Sequence, residues 1–397
     1  MKQDWKKIQL ADLCEIQLGK TPHRKTDKFW DKEKESNNVW LSIADMKHGA
    51  VMHDSKEYVS DLGAEIFKIT PKGTLMLTFK LTLGRVAFAG SDLLTNEAIA
   101  SLINLDGKID KRFLFYYFTF FDWNEATRGD EKVKGKTLNK TKLKKLPIIV
   151  PPLEEQKQIV AKLDQCFEAI DKAKANAAKN LENAKELFQS KLNDIFSQKG
   201  EGWVEKRLID ISKFIDYRGR TPKKTTEGVR LITAKNVKMG VLNRNPQEFI
   251  HTDGYDNWMT RGIPNRNDVL FTTEAPLANV ALLDTDERVA LAQRIITLSV
   301  NQDIVSGEYL CYCMQSKYVQ DKILAKGTGA TVTGIKAKLL KEINIPVVDH
   351  KTQAKFVNNL NKLKEQTQSL ESKYQQALNS LEELKKSILQ KAFEGEL

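Results

Sequence analysis

Two stretches of the chain place apolar residues at steps of four and three. From Phe356 the series runs Leu360, Leu363, Thr367, Leu370, Tyr374, Ala377, Leu381, Leu384 and Ile388, with Lys, Glu and Gln between. Such steps return an apolar side chain to one helix face about every 3.5 residues, the spacing of a coiled-coil seam. No Gly or Pro interrupts the series. An earlier stretch begins Ile159, Leu163, Cys166, Ile170, Ala173 and Ala177. After a one-residue shift it continues through Leu181, Ala184, Phe188, Leu192 and Ile195. Pro151-Pro152 precedes it and cannot lie inside a helix. The pattern predicts two long helices, over 151–199 and 348–397. The alternative is that each helix packs only on its own domain, but five heptads are long for that.

Outside the long helices the pattern changes. Leu75-Met76-Leu77-Thr78-Phe79 and Val269-Leu270-Phe271-Thr272-Thr273 are short apolar runs bounded by turn residues, and read as strands. Residues 112–121 and 307–318 read as short helices. Segments 1–150 and 200–347 are therefore predicted to be globular domains of mixed α and β structure, an α+β fold class.

The two halves are copies of one plan. Leu143-x-x-Leu146-x-Ile148, then Gln156, Ile159, Val160 and Leu163, returns 197 residues later as Leu340-x-x-Ile343-x-Ile345, then Gln353, Phe356, Val357 and Leu360. Gly19-Lys20-Thr21-Pro22 returns as Gly219-Arg220-Thr221-Pro222, and 44–49 as 235–240. Residues 73–87 track 267–281, so Lys80 matches Glu274 and Arg85 matches Asn279. The helices, if they pair within the chain, must be antiparallel, and each spans about 65 Å at 1.5 Å per residue. Phe393 near the C-terminus and Trp5 near the N-terminus would, joined, nearly recreate the internal joint from Phe196 to Trp203. The expectation is an internal pseudo-two-fold repeat.

Composition narrows the class. A net charge of +11 over 397 residues, with 63 Lys and Arg, favours a polyanionic partner. No apolar run reaches the ~18 residues of a membrane span, so no membrane association is expected. The polar start, Met1-Lys2-Gln3-Asp4, lacks the apolar stretch of a signal peptide. Of the four cysteines, Cys311 and Cys313 lie at Cys-x-Cys spacing, but no second pair or histidine cluster completes a zinc site; they fit reduced thiols, and the expected compartment is cytoplasmic. His23, His48, His53, His251 and His350 show no metal-ligand spacing, so no metal is expected.

The order of these parts is specific. A domain opening with Gly-x-Thr-Pro closes with Leu-x-x-Leu-x-Ile-x-x-Pro-Pro-Leu-Glu-Glu-Gln-x-x-Ile-Val, ending at Val160, and leads into a long helix, a second domain and a second helix. Over essentially its whole length the chain resembles the specificity subunit of type I restriction-modification systems. The second copy departs from the Pro-Pro-Leu-Glu-Glu-Gln motif, with Val348-Asp349-His350-Lys351-Thr352-Gln353. The resemblance implies two target recognition domains, each reading half of a bipartite site in double-stranded DNA. It implies helices that set the spacing and dock two modification (methyltransferase) subunits. Those subunits carry S-adenosylmethionine, a restriction subunit carries ATP and Mg, and this chain holds no cofactor and catalyses nothing.

The residues agree with that division. An adenine methyltransferase needs an Asn/Asp-Pro-Pro-Tyr/Phe loop for its flipped base, and Pro151-Pro152 lacks both flanking residues. The Gly-rich stretch 129–137 is one residue too long for a phosphate loop and reads as a basic surface loop facing DNA. The candidate DNA contacts in the first domain are Lys20, Thr21, Arg24, Lys25, Lys80, Arg85, Lys132, Lys134 and Lys136. In the second they are Arg218, Arg220, Lys223, Lys224, Lys235, Asn236, Asn279, Arg294, Lys336 and Lys338. Arg, Lys and Asn are the donors that meet base edges and phosphates. Differences at matched positions would let the halves read different bases. Three other readings remain: a specificity subunit with other effectors, such as a single-chain methyltransferase-nuclease; a coiled-coil scaffold that binds nucleic acid without sequence choice; and an enzyme with an unrecognised site.

Overall fold

A computed structural model describes residues 4–127, 131–132, 135–197, 200–219, 221–329 and 333–397; for 131–132 and 135–137 it describes the backbone alone. The chain forms two compact units, Met1–Asn176 with Ala377–Leu397, and Ala177–Gln376. Each unit holds the first half of one long helix and the last half of the other.

The first unit is built on a sheet in the order Glu15–Leu18, Ile99–Ile103, Leu75–Thr78, Val86–Ala89 and Val51–Met52. In the second unit Ser212–Asp216, Ile295–Val300, Val269–Thr272 and Val280–Leu282 take the same order. The registers match as well: Ile99 faces Thr78 and Ile295 faces Thr272. The expected strands are therefore present, each one residue shorter. Leu75, Leu77, Val269 and Phe271 are fully buried, as apolar positions in central strands must be. A two-stranded ribbon closes each domain, Lys6–Gln9 with Pro147–Val150 and Val204–Arg207 with Asn344–Val347.

The first short helix, Lys111–Phe120, starts where the Asp110 carboxylate accepts from the Arg112 and Phe113 amides. The helix expected over 307–318 is two, Gly307–Gln315 and Lys317–Ala325. Ser316 makes the break: its hydroxyl donates to the Cys313 carbonyl and accepts from the Val319 amide, capping the next helix.

The long helices run Leu153–Ser197 and His350–Glu394, 45 residues each. A buried glutamine anchors the start of each. Gln156 donates to the Lys108 and Pro151 carbonyls and accepts from the Asp110 amide. Gln353 repeats this with Ile304, Val348 and Ser306. Within the first unit the helix halves run antiparallel, with Lys174 paired to Glu382 and Lys385 Nζ 3.2 Å from Asp171.

The helices pack on their domains as well as on each other. Ile159, Leu163 and Ile170 share one core with Phe113, Ile148, Leu389 and Phe393, with Leu381 and Ile388 against its edge. Leu192, Phe196 and Leu360 share the other core with Val269 and Tyr309, with Phe356 beside them. Leu181 and Leu363 are half-buried. Two expected seam residues depart from this: Leu370 is 36% and Leu384 47% exposed. A straight α-helix drifts by about 20° per heptad from a strict 3.5-residue repeat. The burial face accordingly moves to Leu389, Ala392 and Phe393.

Candidate nucleic-acid interface

Matched polar residues shape the loops at one edge of each sheet. Asp45 Oδ2 accepts from the Ser42 amide at 3.1 Å. At the matched position Asn236 Oδ1 accepts from the Thr233 amide at 3.0 Å and from its hydroxyl at 2.9 Å. Asn236 also donates to the Asn243 and Pro246 carbonyls and is fully buried. It is a loop-building residue, and its expected role as a DNA contact is corrected: all its bonding capacity is used inside the fold. Arg85 Nη1 donates to the Ile43 and Met46 carbonyls at 3.3 and 3.4 Å. Asn279, its counterpart, donates to the Val237 carbonyl at 3.0 Å. Met46 and Val237 are themselves matched, so this pair also serves the loops.

In the second unit the ends of three neighbouring strands of one sheet meet. Antiparallel pairing puts Asp216 beside Ile296 and Thr272 beside Ile295. The chain leaving or entering these strands carries Arg218-Gly219, Thr273-Glu274 and Gln293-Arg294. With Thr328 and Gly334-Ile335-Lys336 they line a cleft of about 320 Å³. Arg218, Arg294 and Lys336, picked from three distant stretches of sequence, stand together here. Glu274 was noted in the sequence only as the acidic partner of Lys80. Arg261 was missed. It donates to the Asp216 and Arg218 carbonyls and braces the turn. A lone Arg before Gly262 carries no sequence signal for that role.

The cations of the cleft are not equivalent. Arg218 is bound through Nε and Nη2 to Asp216 at 2.6 to 3.0 Å, and Nη1 reaches the Ile335 carbonyl at 3.4 Å. Burial pushes the Asp216 carboxyl up, but bonds from Arg218 outweigh it and hold the group below the usual carboxylate range. Arg294 Nε lies 3.0 Å from Glu274 Oε1, and both side chains are about half exposed. Arg294 has φ +101, a region that favours glycine. Such a backbone costs about 1–3 kcal/mol, whereas an exposed ion pair returns only ~0–1 kcal/mol. The pair alone does not account for an arginine there.

The matched place in the first unit inverts the charge. Thr137 faces Lys80 where Gly334 bridges Glu274. Register puts Ala98 at the place of Arg294 and Glu97 at that of Gln293. Thr21 donates to Glu97 there, and Lys80 Nζ lies 5.3 Å from the Phe79 ring centre. Gly19 is needed because a Cβ would lie 1.8 Å from the Thr95 carbonyl oxygen, whereas Gly219 is needed for its φ of +88.

The remaining candidates divide. Arg24 is docked on its own unit: it pairs with Glu57 and lies 4.3 and 4.7 Å from the Trp30 and Trp40 ring centres. Lys224 Nζ is 2.6 Å from Glu248, and Lys235 Nζ is 3.9 Å from it. Lys20, Lys25, Lys223 and Lys338 are exposed and have no ion pair among the described residues. Lys134 and Arg220 lie outside the described residues, as do the side chains of Lys132 and Lys136. The described backbone of the 129–137 stretch forms strands Glu131–Lys132 and Gly135–Thr137, the latter paired with Lys80–Leu81. Among the described residues no group of three or more His, Cys, Asp or Glu could hold a metal, and no helix is long and apolar enough to cross a membrane. Burial pushes the Cys14 and Cys311 thiols up to about 12, which leaves them inert.

A twice-written mixed domain, with long helices shared between the copies and different polar chemistry at one matched edge, defines an internally duplicated α+β protein. The model of the type I restriction modification DNA specificity domain family matches residues 2–180 and again 200–380. The chain belongs to this family. It is 23% identical to the type I restriction enzyme EcoBI specificity subunit of Escherichia coli, over 99% of this chain and 86% of that one. It is 27% identical to the MjaIX specificity subunit of Methanocaldococcus jannaschii, over 53% of this chain and 52% of that relative, about half of its length. Two solved structures share the fold. One is a chain from work on complex assembly and conformational transition of the type I R-M system, with TM-score 0.78, 19% identity and coverage of 100% and 99%. The other is the HsdS subunit of Thermoanaerobacter tengcongensis, with TM-score 0.63, 17% identity and coverage of 100% and 98%.

Proposed function

We propose that the chain reads two short half-sites in double-stranded DNA, one per unit, and thereby directs partner subunits that carry the chemistry. The observation that carries this reading is the matched sheet edge: Arg218, Arg294 and Lys336 line one cleft with Glu274 in one unit, while Lys80 takes the glutamate's place in the other. One shared mould with different donors and acceptors is what two different half-sites require. The partners are two modification subunits, which supply S-adenosylmethionine and methylate adenine, and restriction subunits, which supply ATP- and Mg-dependent cleavage. The chain itself contributes recognition and no catalytic group, and it works in the cytoplasm.

The test is methylome sequencing of a plain host expressing this chain with the modification subunit of its own operon, against that subunit alone. A new adenine-methylation motif, with two short half-sites around a fixed unread gap, is expected. Identical methylation with and without the chain, once co-purification has shown that the pair assembles, would sink the proposal. A scaffold that binds without sequence choice would instead give one salt-dependent affinity for all duplexes.

A further inference from the structure

We infer that Arg294, steered by Glu274, reads a guanine in the half-site of the second unit. The inference rests on the cleft meeting DNA. Among the described residues three cations line that cleft, and Arg294 is the one whose planar fork is left open to read. The Arg218 guanidinium is taken up by Asp216 and the Ile335 carbonyl. Lys336 is a point charge on a flexible stem, suited to a phosphate. Arg294 engages Glu274 on the Nε side, 3.0 Å away. Among the described residues its terminal amino groups meet no acceptor. Two parallel donors in one plane match O6 and N7 of guanine in the major groove.

Glu274 points the same way. A carboxylate set among cations that meet a polyanion opposes binding within about a Debye length of 10 Å. A cleft built only to hold phosphates would exclude it. Its use is to fix the arginine fork against the cleft wall, where the bridge to Gly334 holds the strand end. Glu274 is thus a positioning residue, and Arg294 the specificity-determining one. The repeat supports the assignment: Lys80 and Ala98 stand in the first unit where Glu274 and Arg294 stand in the second. The pair therefore belongs to one half-site alone.

The test uses the full chain assembled with its modification subunit and a pool of duplexes with randomised sequence, recovered at fixed salt and sequenced. The native complex is expected to select two half-sites. R294A and R294K are each expected to lose preference for one guanine of one half-site by about tenfold to a hundredfold. R294K keeps the charge, so its overall affinity stays near native while the preference falls. E274A is expected to relax the same position, and the double variant E274A/R294A no further. The opposite half-site stays intact in every variant, which also shows that the protein is folded. A motif unchanged in R294K and R294A, with or without weaker binding to all duplexes, overturns the assignment and leaves the cleft as a phosphate contact or a bystander. If the native complex selects no motif at all, the proposed function fails first, and this inference with it.

Discussion

Arg85 and Asn279 share one place in the repeat and one task. Each side chain donates to the carbonyl of a matched residue, Met46 or Val237, and so holds the loop ahead of its strand. Exchanging Arg85 for Asn should therefore leave the first half-site unaltered and lower the melting temperature. The loss is one or two hydrogen bonds, worth about 1 kcal/mol each. A changed half-site motif in R85N would show that Arg85 reads bases. Asn236 is a sharper case, because N236A leaves buried amides and carbonyls unpaired at about 1–3 kcal/mol each. Calorimetry should show a destabilised protein whose selected motif is native. The Asp216–Arg218 pair gives a pH signature. The folded Asp216 carboxyl lies below its unfolded value, so its contribution is full above the ordinary aspartate range. It is lost as pH falls through the folded value. D216N should therefore be less stable than native at neutral pH, and the difference should shrink in acid; a gap constant across that window would count against the pair. None of these roles was legible beforehand. Arg, Asn and Lys have one appearance in sequence whether they face a phosphate or a carbonyl, and only the fold tells which.

Elements were far easier to read. The four-and-three spacing placed both long helices within two or three residues of their observed ends, and Pro151-Pro152 marked the start of the first. What spacing could not tell is which residues of a seam stay buried. Leu163 and Leu384 are both leucines in series, yet one is fully buried and the other 47% exposed. L163A should cost about 2–5 kcal/mol through the cavity it leaves. L384A should cost within about 0.5 kcal/mol of nothing. Equal losses of stability in denaturant titrations would mean that a continuous seam exists after all. The split of 307–318 into two helices was missed because Ser316 serves both, as a hydroxyl donor to one helix end and an N-cap for the next.

At the scale of the whole molecule, the duplication was legible because apolar spacing and turn residues repeat in order, and the fold preserves strand order and register. The chemistry of the two edges was legible only as a list of charges. Their grouping depends on antiparallel pairing, which brings residues near 218, 274, 294 and 336 to one cleft. The two edges belong to different units, and the domains are built on separate cores. Substitutions that share no partner add, so the halves should read independently. K80A should change selection or affinity at the first half-site only, and R294A at the second only. The double variant should lose the product of the two factors. Measured on duplexes that carry one or both cognate half-sites, a deviation beyond about twofold would mean that the units are coupled, for instance through a long helix common to both. K336A serves as the control for charge. It removes a phosphate partner, so it should weaken all duplexes alike and lower the slope of log affinity against log salt by about 1. Agreement of all three variants would separate recognition from mere attraction, and assign each to its own unit.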